Sequence, residues 1–310
     1  MLRRTYLGLE IRQQELRAIA VQRRGKNIAL AGGRTLALAD AVLQPAFKVA
    51  NVLAPERFVV ALKEILDPLA KRENRLAVSL PDRSGQLFLV ELETPFKHRA
   101  EGIELLRWHL KDKLPAPPKR LALDFQVLEE NEAGHKRILA AVIDQDVLSQ
   151  YESLFEQAGY AATMIDFHSL ALYSAYRNKV DLGEDFILVG VDDCQLSILV
   201  FVNRILDFYR AKETSREPRK VFQELSRSLV NYRNTQPAFS RMAVYLHSDW
   251  QDQDTLFAAV SSAFDQEVRR LLSPVTKLIN GHQSAITGAD ASGMAAALGV
   301  AERMIERVAL

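Results

Sequence analysis

Two stretches of this chain follow one plan, and that repetition limits what it can fold into. Residues 186–209 open with an apolar run to Val191, turn at Asp192–Gln195, and run apolar again to Phe201. A second turn at 202–204 leads into a third apolar segment. Runs of Val, Ile, Leu and Phe parted by turn residues signal strands and hairpins. Their near-continuous apolar character places them in a sheet covered on both faces. Residues 6–36 repeat the plan: Leu7 to Glu10, a polar turn at 12–15, a return over 16–21, a turn at 23–27 and a third segment from Ile28. One meander at the start and again past the midpoint predicts an internal duplication, with two similar domains facing each other.

A length of 310 residues suits about two domains with real cores. A net charge of +1 argues against a nucleic-acid binder, which carries a basic excess. The single cysteine, Cys194, excludes an internal disulfide and any paired-cysteine metal or redox motif, which fits a reducing compartment. The first residues lack the apolar core of a signal peptide. No uncharged apolar run reaches the roughly 18–20 residues a membrane span needs. The expectation is a cytosolic protein with no transmembrane segment of its own.

Between the meanders, helical spacing of Phe58, Ala61, Leu62, Ile65 and Leu69 predicts a helix over 56–70. Strands are expected at 75–80 and 86–92, a helix over 98–114, and strands at 121–128 and 137–143. Asp144 caps a helix closed by Gly159, followed by a strand at 161–167 and a helix over 169–178. After the second meander come a helix over 219–236, a strand at 241–247, a helix over 252–264 and an edge strand at 268–272. A closing helix over 292–308 is rich in Ala and Gly. The chain is thus α/β, and the block 75–167 resembles an α+β unit inserted at a loop of a parent fold. The expected division is 1–74 plus 168–183, an inserted 75–167, and 184–310.

That order of elements resembles the actin-like (RNase H-like) ATPase superfamily. More narrowly, it is similar to PilM-type pilus-assembly proteins. The matching residues are Leu106-Arg107-Trp108, then Leu114-Pro115-Ala116-Pro117, then Leu123-Asp124-Phe125-Gln126-Val127-Leu128. The family has there a Trp-bearing helix, a Pro pair and an Asp-Tyr-Gln-Val strand. Residues 154–160, 165–171 and 225–233 also match, and Ala296-Ala297-Leu298-Gly299-Val300-Ala301 resembles the family's closing Ala-Leu-Gly-Leu-Ala. The likeness runs collinearly over nearly the whole chain. MshI and the cytoplasmic part of GspL are equally close relatives by these motifs.

The resemblance implies phosphate-binding hairpins, and these depart from the pattern. Such hairpins use small residues so that backbone N–H groups can reach a phosphate, with an Asp to position the metal. Where the family's first hairpin reads Asp-Ile-Gly-Ser-Ser-Ser, this chain reads Glu10-Ile11-Arg12-Gln13-Gln14-Glu15. The second, normally Asp-Ile-Gly-Ala-Ser-Ser, reads Gly190-Val191-Asp192-Asp193-Cys194-Gln195 without a gap. With a shorter turn, Asp192 replaces the family's Asp instead. The adenosine loop, usually Ser-Gly-Gly, reads Ser248-Asp249-Trp250 after His247. Bulk and negative charge thus stand where a phosphoanhydride needs bare backbone. The expectation is a pseudo-ATPase with vestigial loops at Glu10, Arg12, Gln13, Asp192, Asp193, Ser248 and Asp249, no catalytic residues, no metal and no cofactor. The rival is that Glu10, Asp192 and Asp193 converge on Mg²⁺ and still hold ATP.

Other features read more simply. The six histidines show no metal-ligand spacing. His168 reads as a core or helix-start residue, Cys194 as a turn residue, and 115–118 as a rigid connector. The basic stretch 210–220 reads as a solvated loop, or alternatively as a face toward anionic lipid. The resemblance implies a cytoplasmic scaffold, peripheral at the inner membrane, in a type IV pilus or related secretion platform. It would bind the short cytoplasmic tail of a PilN-like bitopic membrane protein, and beyond that the assembly ATPase. The tail would lie in a groove between the first domain and the insertion, with Leu87, Phe88 and Trp108 as candidate contacts. Alternatives are an ATP-binding switch, a GspL-like secretion component, or a filament former of the FtsA kind.

Overall fold

The computed structural model describes residues 4–25, 27–114, 116–279, 286 and 288–309. Lys26 of the expected turn and Pro115 of the expected connector lie outside them. The chain opens with β1 (Thr5–Ile11), β2 (Glu15–Arg24), β3 (Asn27–Ala37) and α1 (Pro55–Ala70). It continues through β4 (Arg75–Leu80), β5 (Gly85–Leu92), α2 (Arg99–Leu110), β6 (Leu121–Glu130), β7 (Lys136–Asp144), α3 (Gln145–Ala158), β8 (Ala161–Phe167) and α4 (His168–Val180). Next come β9 (Phe186–Asp192), β10 (Gln195–Val202), β11 (Ile205–Glu213), α5 (Pro218–Thr235), β12 (Ala243–Ser248), α6 (Gln253–Phe264) and β13 (Val268–Arg270). Three helices finish the chain: α7 (Pro274–Ile279), α8 (Gly288–Gly293) and α9 (Ala295–Ala309).

The duplication expected from the two meanders is present in the topology. One five-stranded sheet has the order β3-β2-β1-β4-β8 and the other β11-β10-β9-β12-β13. In both, an antiparallel meander continues into two parallel strands on the far side of its first strand. Every residue of β1 and β9 is buried, which is why both read as near-continuous apolar runs. Helix α1 covers the first sheet with Phe58, Leu62, Ile65 and Leu66, and α3 packs beside it through the edge-to-face pair Phe58–Tyr151. Helices α5 and α6 cover the second sheet through Val221, Leu225, Leu229, Leu256 and Val260. Between the sheets runs α4, whose Leu172 and Tyr176 share one core with Phe186 and Leu188 of β9 and with the first sheet.

The domain boundaries differ from those expected. β4 lies parallel to β1 and β8 parallel to β4, so both belong to the first sheet rather than to the insertion. Burial makes a strand apolar, and apolar residues do not say which sheet it joins. The inserted unit is β5, α2, β6 and β7, a three-stranded antiparallel sheet in the order β5-β7-β6. Helix α2 covers one of its faces with Leu106 and Leu110 against Val90, Leu92, Ile138 and Ala140. The closing helix is also displaced: α9 packs across β1, β2, β4 and α4 of the first unit. Its small residues permit this approach. A Cβ on Gly8 of β1 would collide with the carbonyl of Ala297, and one on Gly299 with the carbonyl of Ala171. Among the described residues, no helix is long and apolar enough to cross a membrane.

Candidate functional site

Two hairpin tips, β1–β2 and β9–β10, point at one another across the line between the two sheets, with the loop after β12 closing a third side. The β9–β10 turn holds only Asp193 and Cys194, since Asp192 pairs directly with Gln195, and Asp193 adopts φ 51°. With the turn this short, Asp192 ends β9 much as Glu10 stands near the end of β1.

The space between the tips is filled by the protein's own charges. Arg12, buried, places Nε 2.5 Å from Glu10 Oε1 and Nη1 2.5 Å from Asp249 Oδ2, with Nη2 3.7 Å from Asp192 Oδ1. Arg17 reaches the same Asp249 oxygen at 3.0 Å, Glu15 at 2.6 Å, and the Gly293 carbonyl at 2.6 Å. His168, the first residue of α4, stands between the two strand-end carboxylates, 3.2 Å from Glu10 and 2.8 Å from Asp192. Asp192 also meets the His247 ring at 2.9 Å, whose other nitrogen contacts the Tyr176 hydroxyl at 2.8 Å. Asp249 Oδ1 accepts the backbone N–H of Asp193 at 3.2 Å, and Trp250 donates its indole N–H to the Asp193 carbonyl at 2.9 Å. The remaining cavity is about 60 Å³, lined by residues that include Gln13, His168 and Asp193. That is room for a few waters, at roughly 10–15 Å³ each.

These contacts set the titration of the cluster. Burial pushes the Glu10 carboxyl up, but Arg12 and then His168 outweigh it and hold it down to about 2. Burial likewise pushes His168 down, but its hydrogen bonds to Asp192 and Glu10 outweigh that and raise it to about 10. Asp192 is buried yet held well below the usual carboxylate range by His247 and His168. A group with a raised folded pKa contributes its stabilisation below the unfolded value and loses it as pH climbs to the folded one. The stability gap between the wild-type protein and His168→Gln is therefore expected to be full below pH 6.5 and to close as pH rises toward 10. For Glu10, with a lowered pKa, the contribution is present above pH 4.5 and fades as pH falls toward 2. Urea denaturation at stepped pH reads both limbs; a His168→Gln gap that stays constant up to pH 10 would contradict the assignment.

A second polar cluster joins the domains beside the first. Asp82 Oδ1 accepts from Ser169 Oγ at 2.7 Å and from the Tyr209 hydroxyl at 3.2 Å, while Gln195 donates to its other oxygen. Burial pushes this carboxyl up.

Most of the residues singled out from the sequence meet in one place. Glu10, Arg12, Asp192, Asp193 and Asp249 form the charged cluster, Gln13 lines its cavity, and Ser248 accepts the Trp250 backbone N–H at 3.1 Å. The three carboxylates expected to converge in the metal-bound alternative do not. Glu10 and Asp192 are bridged by His168, and Asp193 turns outward to Arg216 at 2.8 Å. Among the described residues, no three His, Cys, Asp or Glu side chains are placed to hold a metal ion. Sequence reasoning missed Arg17, Tyr176 and His247 and gave His168 no bridging role. The available signal was a charged or polar residue at the end of successive apolar strands, the position where α/β sheets present their ligand-facing groups.

A second concavity lies between the insertion and the first sheet. It is about 280 Å³, with Ala122 and Asp124 of β6, Ala141 of β7, Leu148 of α3, and Ala162 and Met164 of β8 in its wall. Among the described residues β6 pairs with β7 alone and β8 with β4 alone, so each is the edge strand of its sheet, and both line this groove. The three candidate tail contacts, Leu87, Phe88 and Trp108, are not among the residues lining this concavity. Leu87 is in the main core, Phe88 packs toward α2, and Trp108 stands 68% exposed on α2.

No family model matches the chain, and no curated protein matches it. Solved structures do. The chain superposes on the PilM–PilN type IV pilus biogenesis complex with a TM-score of 0.79 at 17% identity, covering 97% of this chain and 99% of that one. A Bacteroides thetaiotaomicron protein of actin-like ATPase fold and unknown function follows at 0.57 and 14% identity, over 91% and 97% of the two chains. The cytoplasmic domain of EpsL, an inner-membrane component of the type II secretion system of Vibrio cholerae, follows at 0.53 and 11%, over 90% and 94%. The fold is the actin-like ATPase fold.

Proposed function

We propose that this chain is a cytoplasmic scaffold at the inner membrane of a type IV pilus or related secretion platform. In this reading it captures the short cytoplasmic tail of a PilN-like bitopic membrane protein and does not turn over nucleotide. The observation that carries the reading is the groove between β6 and β8. Two unpaired strand edges supply backbone donors and acceptors for an extended segment, and Ala122, Ala141, Leu148 and Met164 supply apolar seats. That is how a sheet edge takes a peptide: main-chain pairing holds it and side-chain pockets select it. One solved structure matched over nearly its full length is a PilM–PilN complex. The cytoplasmic domain of EpsL, of the same fold, is part of another inner-membrane machine.

A degenerate nucleotide site goes with this reading. A triphosphate between the hairpin tips would have to displace Asp249 from Arg12 and Arg17, and would face Glu10, Glu15 and Asp192. The residues present do not fit Mg²⁺-ATP. Fluorescent ATP with Mg²⁺ is expected to give no saturable binding at micromolar concentration, while a synthetic tail peptide of the bitopic partner binds. Micromolar nucleotide binding would favour an ATP-driven switch instead, and failure of the peptide to bind would remove the scaffold reading.

A further inference from the structure

Asp249 has an unusual set of partners for a loop carboxylate. Its Oδ2 takes the guanidinium groups of both Arg12 and Arg17, and its Oδ1 takes the backbone N–H at the tip of the β9–β10 hairpin. Paired guanidinium forks with a hairpin N–H are the donor set that holds oligophosphates. The donors come from both domains, Arg12 and Arg17 from the first and Asp193 from the second, and they converge on one carboxylate that follows β12. Each is also anchored independently of Asp249. Arg12 is held by Glu10, Arg17 by Glu15 and the Gly293 carbonyl, and the Asp193 turn by the Trp250 indole.

We infer that Asp249 is a tethered anion: it occupies an oligophosphate-type cradle formed by Arg12, Arg17 and the Asp193 N–H, and so holds the two domains together without any ligand. The inference rests on the degenerate-site reading and adds to it. The phosphate position is then an intact anion site whose occupant is part of the chain. Charge balance agrees. Arg12, Arg17 and protonated His168 face Glu10, Glu15, Asp192 and Asp249, three cations against four carboxylates. Deleting the Asp249 carboxylate leaves the cluster neutral, with two arginine forks directed at an empty position.

The test uses the full chain and inorganic pyrophosphate as probe. Asp249→Ala is expected to bind pyrophosphate at least about tenfold more tightly than the wild-type protein, a gain of about 1.4 kcal/mol. The gain should disappear in Asp249→Ala with Arg17→Gln. By small-angle scattering, Asp249→Ala should be more open, and pyrophosphate should close it again. Glu15→Gln removes one negative charge beside the same arginines without freeing the Asp193 N–H, and is expected to gain nothing. If Asp249→Ala does not fold, Asp249→Asn takes its place, keeping the shape and removing the charge. A folded variant with no gain, or an equal gain from Glu15→Gln, overturns the inference and leaves the degenerate-site reading standing. Micromolar binding of ATP by the wild-type protein overturns that reading itself.

Discussion

Arg12→Leu is expected to destabilise the protein by about 3–5 kcal/mol, the range for removing one partner of a buried charge network. The guanidinium sits within 4 Å of Glu10, Glu15, Asp192 and Asp249, and three of these four carboxylates are almost wholly buried. Without it, Asp249 keeps hydrogen bonds from Arg17 and the Asp193 N–H, and Glu10 keeps its contact with His168. The loss is mainly the cost of stranding those carboxylates, not the intrinsic strength of the ion pairs. A double-mutant cycle separates the two: Arg12→Leu with Glu10→Leu should cost clearly less than the sum of the single changes. Urea denaturation measures all three. A single-mutant loss below about 1 kcal/mol, the size of an exposed pair, would mean the network is hydrated and does not clamp the domains.

Ala141→Trp is expected to weaken capture of the tail peptide by about a hundredfold, close to 2.7 kcal/mol. Ala141 lies on β7 in the wall of the β6–β8 groove and is half-buried, so an indole there fills the volume a peptide would use. Its neighbour Ala140 belongs to the apolar cluster under α2, and Val142 is wholly buried, so the insertion itself should persist. Fluorescence anisotropy of a labelled peptide gives the affinity, and circular dichroism confirms folding. Trp108→Ala serves as the contrasting change and should leave affinity unaltered, because Trp108 is not in the groove wall. Retained affinity in a folded Ala141→Trp protein would move the docking site elsewhere.

The sequence made the local elements and their repetition visible, since burial on both faces of β1 and β9 leaves an unmistakable apolar run. The Asp144 cap and Gly159 terminator of α3 were equally legible, because each is a chemical requirement of a helix end: the Asp144 carboxylate accepts from Asp146, and Gly159 adopts φ 91°. What stayed hidden was membership and reach. Nothing in Leu76 to Leu80 says that these residues pair with β1 rather than with the insertion, because pairing depends on where the chain returns in space. Small residues in α9 announced close packing but not which sheet receives it. At the site, the loss of glycines was legible position by position. That Arg12 would meet a carboxylate 237 residues away was not, because long-range ion pairs leave no local pattern. His168 illustrates the same limit. It reads as an ordinary helix-start residue, yet it bridges two strand-end carboxylates that lie on different domains.

The two bare strand margins that flank the groove also carry a hazard. Unsatisfied main-chain groups on an outermost strand will template any extended segment that arrives, whether a cognate tail or another copy of the same chain. Copies made in excess of their membrane counterpart are then the ones that self-associate, and co-expression of that counterpart should raise the soluble yield. The stoichiometry of synthesis thus becomes part of the protein's quality control.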